Sequence, residues 1–133
     1  MLIPELKFIE LIKKPNEPFM IDDFAFQAIA HIGLLGEERG ADYFYFLMAT
    51  PKALLTAFKE NHIVNRRAMF IVNESKIESD LELVKMQITE FLLDCKRETW
   101  EEVALAINYC LDWEYYDPAY GICEYYKKSR NLS

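Results

Sequence analysis

The alternation of hydrophobic and polar positions predicts a strand-rich first half of the chain. Residues 41–48 carry apolar or aromatic side chains on both faces of an extended segment, as an interior strand of a sheet requires. Strands are also expected over residues 2–12, 19–32 and 68–72, which are rich in apolar and β-branched residues. Pro4 would equally suit the first turn of a helix, so the first segment has two interpretations, of which we favour the strand.

Turn and loop residues separate these strands. Residues 13–18 are polar and rich in proline, which indicates a turn. Residues 33–40 contain three glycines and a charged tip, so we expect a hairpin loop that places Glu37 and Glu38 in solvent. His31 falls on the predicted polar face of the second strand, where we expect a surface side chain.

A helix is expected directly after the central strand. Thr50 can accept a backbone hydrogen bond as an N-cap, and Pro51 suits the first helical position. Three apolar residues then follow at the spacing of a core-facing stripe: Leu54, Leu55 and Phe58. This helix is therefore predicted to pack as one unit with the central strand, and the polar residues 61–66 to connect it to the next strand.

Two later helices begin at capping boxes, formed by Ser75 with Glu78 and by Thr99 with Glu102. Their apolar residues recur at helical spacing, as Ile77, Leu81, Val84, Ile88 and Phe91 in one helix and Trp100, Val103, Ile107 and Leu111 in the other. Both helices are amphipathic, and one face of the sheet is the surface that they would cover.

These elements predict a single α+β domain over residues 1–117, followed by an aromatic C-terminal tail over residues 118–133. The expected architecture is a mainly antiparallel sheet of about four to six strands, with two or three helices packed on one face. Residues 112–117 are expected to form the last strand. A chain of 133 residues fits one domain that buries roughly two-thirds of its unfolded surface.

The charge balance argues against nucleic acid as a direct ligand. Fifteen Lys and Arg against 22 Asp and Glu give a formal net charge of -7, which repels nucleic acid and anionic membranes and favours a basic protein partner. Solubility alone would also account for an acidic chain. No apolar run approaches the roughly 20 residues that span a bilayer, and the start lacks the basic region of a signal peptide, so we expect a cytoplasmic protein.

A search for catalytic motifs favours no enzyme class. The chain has no glycine-rich phosphate loop, no HExxH and no G-x-S-x-G, and Asp22 and Asp23 would point to opposite faces of a strand. Asp112, Glu114 and Asp117 could hold calcium, yet no glycine-punctuated loop supports such a site. The three cysteines are interpreted as ordinary thiols. We expect neither catalysis, nor a cofactor, nor a metal site.

Tyrosines and acidic residues are concentrated between positions 112 and 126. Tyrosine gives a large contact area with few torsions to order, and adjacent carboxylates attract Lys and Arg on a partner. With the loop carboxylates, the predicted binding surface consists of Glu37, Glu38, Asp112, Glu114, Asp117, Tyr120, Glu124 and Tyr125. Trp113 and Tyr115 are assigned to the core, while either placement is open for Tyr126.

Three motifs follow one another in a particular order: an aromatic Gly-x-Asp-x-Phe strand that leads into Thr-Pro and a helix, a late helix with Trp-x-Glu, and a Trp-Glu-aromatic segment. They comprise Gly40, Tyr43, Phe44, Phe46, Thr50, Pro51 and Leu54, then Trp100, Glu101 or Glu102, Trp113, Glu114 and Tyr115. In this order and spacing the chain resembles the immunity protein 8 family of bacterial polymorphic toxin systems. Two features depart from the family: Tyr116 stands in place of an acid, and sixteen residues follow Asp117.

The resemblance implies a non-enzymatic protein that binds and neutralises one cognate toxin domain, with Trp100 and Trp113 in the core. Many such toxins are nucleases with basic clefts, so the implied partner is a basic toxin C-terminal domain whose cleft is occluded by the predicted binding surface. Self-association through the tail is left open. The residues alone also allow a cytoplasmic adaptor or regulatory module unrelated to toxins, or an α+β enzyme with a cleft of convergent polar groups.

Overall fold

A computed structural model describes residues 1–12, 25–62, 67–73 and 77–129 of the protein. Within these residues the chain forms two sheets and four helices. The strands are β1 (Pro4–Leu11), β2 (Ala25–Leu34), β3 (Asp42–Ala49), β4 (Met69–Ile71), β5 (Asp112–Trp113), β6 (Tyr116–Asp117) and β7 (Gly121–Ile122). The helices are α1 (Pro51–Asn61), α2 (Ile77–Leu92), α3 (Trp100–Ile107) and α4 (Glu124–Ser129). The predicted α+β class is confirmed.

The main sheet has five strands, with β1, β2, β3 and β4 in that order and β5 also paired with β3. The pairs of β1 with β2, β2 with β3 and β3 with β5 are antiparallel, whereas β3 and β4 are parallel. A parallel pair needs a crossover connection, and α1 lies within it. The strand interpretation of the first segment is confirmed and the helical alternative is wrong, because Pro4 pairs with Leu34 across β1 and β2.

The predicted last strand over residues 112–117 is wrong as a continuous element. The chain forms two strands of two residues each, and β6 pairs with β7 in a separate small sheet instead of continuing along β3. The intervening turn carries Glu114 and Tyr115. Aromatic residues favour strands, but whether a strand continues depends on a partner edge, which the local pattern does not contain.

One face of the main sheet is covered by α2 and α3, as predicted. Side chains from alternate positions of β2 and β3 meet the apolar stripes of both helices in one core. Its fully or nearly fully buried members include Ala28, Ala30, Ile32, Phe44, Phe46, Met48, Val84, Ile88, Val103, Ile107, Leu111 and Trp113. We call this side the covered face.

The first helix begins as predicted but does not pack as predicted. The Thr50 side chain accepts a hydrogen bond from Ala53 N at 3.3 Å, and Pro51 is the first residue of α1. However, α1 lies wholly within the described residues and buries none of its side chains, and Phe58 is 52% exposed. A capping signal is local, whereas burial depends on where the rest of the fold places the helix.

The N-cap of α3 is confirmed, since Thr99 accepts a hydrogen bond from Glu102 N at 3.2 Å. Several other predictions lie outside the described residues. These are the turn over 13–18, the first part of the second strand over 19–24 with Asp22 and Asp23, positions 63–66 of the polar connection, the cap residue Ser75, and the end of the tail over 130–133.

Candidate functional site

The second face of the main sheet presents an aromatic cluster to solvent. Phe8 of β1, His31 of β2 and Tyr43 of β3 lie opposite one another across the two strand pairs. The Phe8 and His31 rings are stacked with centroids 3.9 Å apart, and the His31 and Tyr43 centroids are 4.5 Å apart. Phe8 is 53% exposed and Tyr43 40% exposed. With Glu10, these residues form what we call the aromatic sheet face.

The prediction that His31 is a surface side chain is wrong. It is only 8% exposed, because the rings of Phe8 and Tyr43 cover it from the neighbouring strands. Glu10 Oε1 lies 3.1 Å from His31 Nε2, within hydrogen-bond distance. Cross-strand neighbours decide burial on a sheet face, and a single strand's alternation does not reveal them.

Two of the predicted binding residues, Asp112 and Glu114, lie at the β5 edge beside this face. Asp112 forms an ion pair with Arg67, and Glu114 accepts a hydrogen bond from the backbone N–H of Tyr43. Burial is the main reason why the pKa of Glu114 is raised above its ordinary value. Both carboxylates therefore have partners within the chain as well as access to a partner protein.

The loop between β2 and β3 exposes Glu37 and Glu38, as predicted. A side chain at Gly33 would collide with the carbonyl oxygen of Gly40, so the backbone can fold back here only with glycine. Glu37 also lines a cavity of about 620 Å³ between this loop, the start of α3 and the tail. Glu38 is not among the residues that line it. The two adjacent carboxylates thus have different surroundings.

A buried carboxylate that the sequence analysis did not select, Asp42, joins the two tryptophans. Asp42 is 8% exposed, and its Oδ2 accepts hydrogen bonds from Trp100 Nε1 at 2.8 Å and Trp113 Nε1 at 3.0 Å. The assignment of Trp113 to the core is confirmed, while Trp100 is half-buried. An aspartate at an inward position of an aromatic strand was the available signal, since burying an unpaired carboxylate is costly.

The other four predicted residues lie in the C-terminal tail and at its start. Asp117 is in β6 and accepts a hydrogen bond from Ala119 N at 2.7 Å. Tyr120 follows in the turn before β7, and Glu124 and Tyr125 open α4; all three side chains are exposed. The eight predicted residues therefore occupy three separate places, namely the loop, the β5 edge and the tail.

The tail is anchored by Tyr126, whose placement the sequence left open. Its ring is buried against Trp113 and Tyr115, with centroid distances of 5.1 Å and 4.9 Å. Its hydroxyl donates a hydrogen bond to Glu101 Oε1 at 2.9 Å. Tyr115 is half-buried beside it, and burial, followed by the charge of Glu114, raises the pKa of Tyr115 to about 12. Tyr126 thus packs against the core at Trp113.

In the part of the chain that the structure describes, we looked for a metal site, a reactive thiol and a helix that could span a membrane. No group of three or more His, Cys, Asp and Glu side chains there is arranged to hold a metal ion. Burial raises the pKa of the Cys95 thiol to about 11, which keeps it protonated and a poor nucleophile. None of the helices in the described ranges has both the length and the apolar character to cross a bilayer.

A family model described as Immunity protein 8 matches residues 5–118 of the chain. No curated protein matches, and no solved structure matches. The matched region contains β1 from its second residue, β2 through β6, and α1, α2 and α3, and it includes the buried aspartate and both tryptophans. It ends before Tyr120, Glu124 and Tyr125, so these three predicted binding residues lie outside the part that defines the family.

Proposed function

Because the chain belongs to the Immunity protein 8 family, we propose that it binds one cognate bacterial toxin domain and covers its active cleft. Membership makes the chain an immunity protein that acts against a toxin. Proteins of this family are generally non-enzymatic, which favours inhibition by binding. The proposed partner is the C-terminal domain of a larger toxin, and the proposed place of binding is the cytoplasm.

The acidic charge supports a toxin that acts on nucleic acid. A nuclease holds the phosphate backbone with Lys and Arg, so its cleft is positively charged. This chain has a formal net charge of -7, and its exposed carboxylates are attracted by the same cleft residues. We therefore propose a basic nuclease domain as the target, with substrate entry blocked by the bound immunity protein.

The observation that carries this proposal is the pairing of half-exposed aromatics with carboxylates on one sheet face. Phe8 and Tyr43 provide apolar contact area of the kind that dominates binding energies at interfaces. Glu10, Asp112 and Glu114 lie on the same side and would meet Lys and Arg of the toxin. Strand-borne side chains are already ordered, so little conformational entropy is lost on binding.

The remaining predicted residues are assigned to the periphery of the interface. They are Glu37, Glu38, Asp117, Tyr120, Glu124 and Tyr125. Carboxylates at the rim of an interface act mainly on the association rate, because they attract the partner before contact and stay partly hydrated afterwards. Tail residues beyond the family match would distinguish this member's toxin from the toxins of its relatives.

The decisive experiment is co-expression with the toxin domain encoded immediately upstream, scored by cell growth and by co-purification. We expect restored growth and a stable complex. An active toxin that is neither bound nor neutralised by the folded chain would contradict the proposal and favour an adaptor or regulatory module unrelated to toxins.

The surface is tested by two matched phenylalanine substitutions. Phe8 and Phe58 are 53% and 52% exposed, and Phe58 lies on α1, which contributes no residue to the proposed surface. We expect Phe8→Ala to weaken toxin binding by about 30-fold, as loss of an interface hot spot does, and Phe58→Ala to leave it unchanged. Equal affinities of the two variants in a calorimetric titration would remove the aromatic sheet face from the interface.

A further inference from the structure

The cavity between the β2–β3 loop, the start of α3 and the tail has the dimensions of a ligand site. Its volume is about 620 Å³, which is within the range of roughly 300–1,000 Å³ that small-molecule sites occupy. The loop contributes Glu37 and Arg39, α3 contributes Trp100 and Glu101, and Tyr115 lines it beside the tail. Its wall therefore combines residues of the β2–β3 loop with residues of α3 and of the turn at Tyr115.

Negative charge predominates in this cavity. Among the described residues that line it, Glu37, Asp42 and Glu101 contribute three carboxylates and Arg39 is the one basic residue. The pKa of Tyr115 is raised to about 12, mainly by burial and next by the negative charges of Glu114 and Asp42. The site thus favours a cation over an anion.

The Asp42 carboxylate, which lines the cavity, retains hydrogen-bonding capacity. Both hydrogen bonds that the structure describes for Asp42 end on Oδ2, with Trp100 and Trp113 as donors. This leaves Oδ1 of a side chain that is only 8% exposed to accept from a group inside the cavity that it lines. A buried carboxylate oxygen gains most from a charged donor, because water does not solvate it fully.

Aromatic side chains also line the cavity. Trp100 and Tyr115 line the cavity, and the indole of Trp100 is fixed by its hydrogen bond to Asp42. The Tyr126 hydroxyl donates to Glu101 Oε1, which orients that carboxylate and leaves its second oxygen for another donor. Aromatic faces attract cations, and a fixed indole does so without loss of rotamer freedom.

We infer that this cavity binds the guanidinium group of an arginine side chain that the toxin presents, an inference that rests on the proposed function for the source of the arginine. A guanidinium is planar, stacks on aromatic rings and donates several hydrogen bonds in a fork, so it can contact Asp42, Glu101 and a wall ring together. A lysine ammonium is a compact, strongly hydrated charge and would use the aromatic side chains less well.

The free chain allows a direct test with a small probe. N-acetylarginine methylamide is titrated while the indole N–H signal of Trp100 is followed by NMR, and N-acetylcitrulline methylamide serves as an uncharged probe of the same shape. We expect a saturable shift with the arginine probe and about 10-fold weaker binding of the citrulline probe, as the loss of one charged hydrogen-bond donor predicts.

Variants that remove one charge test whether the cavity prefers a cation. Glu37→Gln and Glu101→Gln should weaken binding of the arginine probe by about 3-fold and 10-fold, because the first carboxylate is exposed and the second partly buried. Arg39→Gln should strengthen binding by about 3-fold, because a competing cation is removed. Glu38→Gln is the matched control, since its carboxylate is adjacent in sequence but does not line the cavity.

Three results would each overturn the inference: no shift of the Trp100 signal, equal binding of both probes, or weaker binding of the arginine probe in Arg39→Gln, because the loss of a competing cation should favour a cationic ligand in this cavity. The toxin is not used in these titrations, so their failure leaves the proposed toxin binding standing. Conversely, a chain that binds the arginine probe but does not co-purify with the toxin would refute the proposed function, and with it the toxin as the source of the arginine, while the guanidinium site itself would stand.

Discussion

The covered face and the aromatic sheet face are built from alternate residues of the same strands, yet they use carboxylates and rings in opposite ways. On the covered face, Phe44 is fully buried and Asp42 serves as the acceptor for two indole N–H groups. On the aromatic sheet face, Tyr43 is 40% exposed and Glu10 lies beside the buried ring of His31 at the solvent boundary.

This difference shows that burial, and not residue type, separates the roles of the acidic residues. A carboxylate enclosed by donors stabilises the fold because its removal leaves those donors unpaired. A carboxylate at the boundary contributes little to stability and stays available to a cation on a partner. We therefore expect substitutions on the two faces to separate stability from toxin binding.

The largest expected effect on the free energy of unfolding comes from Asp42→Ala. It leaves the indole N–H groups of Trp100 and Trp113 without their acceptor, and a buried donor without a partner costs about 1–3 kcal/mol. We expect the free energy of unfolding to fall by about 3 kcal/mol in urea denaturation. Asp42→Asn keeps an acceptor oxygen and should lose about 1 kcal/mol.

The matched change on the other face is Glu10→Ala, which should alter the free energy of unfolding by less than about 1 kcal/mol. Its effect should instead be seen as weaker binding to the toxin. If Glu10→Ala destabilises the chain as much as Asp42→Ala does, the two faces do not differ in the way described above.

Local signals in the sequence predicted the helix caps well, but they predicted poorly which side chains are buried. The caps at Thr50 and Thr99 were found because a cap involves residues within one turn. His31 and Phe58 were misplaced in opposite directions, the first buried by rings from other strands and the second exposed on a helix without a buried side chain. Both outcomes depend on contacts between elements.

The residue types of a binding surface could be proposed from the sequence, but their arrangement could not. The tyrosines and carboxylates stay a prediction as a binding surface, and the structure shows that Tyr120 and Glu124 are exposed. The partners of Asp112 and Glu114, Arg67 and the Tyr43 backbone, are distant in sequence, so no spacing rule could identify them. The cavity was missed for the same reason.

A smaller effect is expected from charge reversal in the tail. Asp117→Lys with Glu124→Lys should slow association with the toxin by about 10-fold and reduce its salt dependence, with little change in the dissociation rate. Glu60→Lys with Glu90→Lys makes the same change in net charge on exposed helical positions. Stopped-flow rates that fall equally for both double variants would show a general charge effect and no tail contact.

The smallest expected effect on stability concerns Glu114, which lies at the β5 edge beside the aromatic sheet face. Burial raises the pKa of its carboxyl, so the folded chain keeps the proton to higher pH than the unfolded chain does. Its contribution to stability is complete below the ordinary pKa of 4.5 and declines as the pH rises through the folded-state pKa.

Glu114→Gln keeps an oxygen to accept from the Tyr43 N–H and removes this titration. The variant should therefore be slightly more stable than the wild-type chain near neutral pH, and the difference should disappear at acidic pH. Urea unfolding across that pH range measures the difference in stability, and a wild-type chain that is more stable than the variant at neutral pH would contradict the prediction.

The same Glu114→Gln variant should bind the toxin less tightly, because an ionised carboxylate that costs stability in the free chain gains most from a cation on a partner. A gain in stability together with a loss of binding would place Glu114 in the interface.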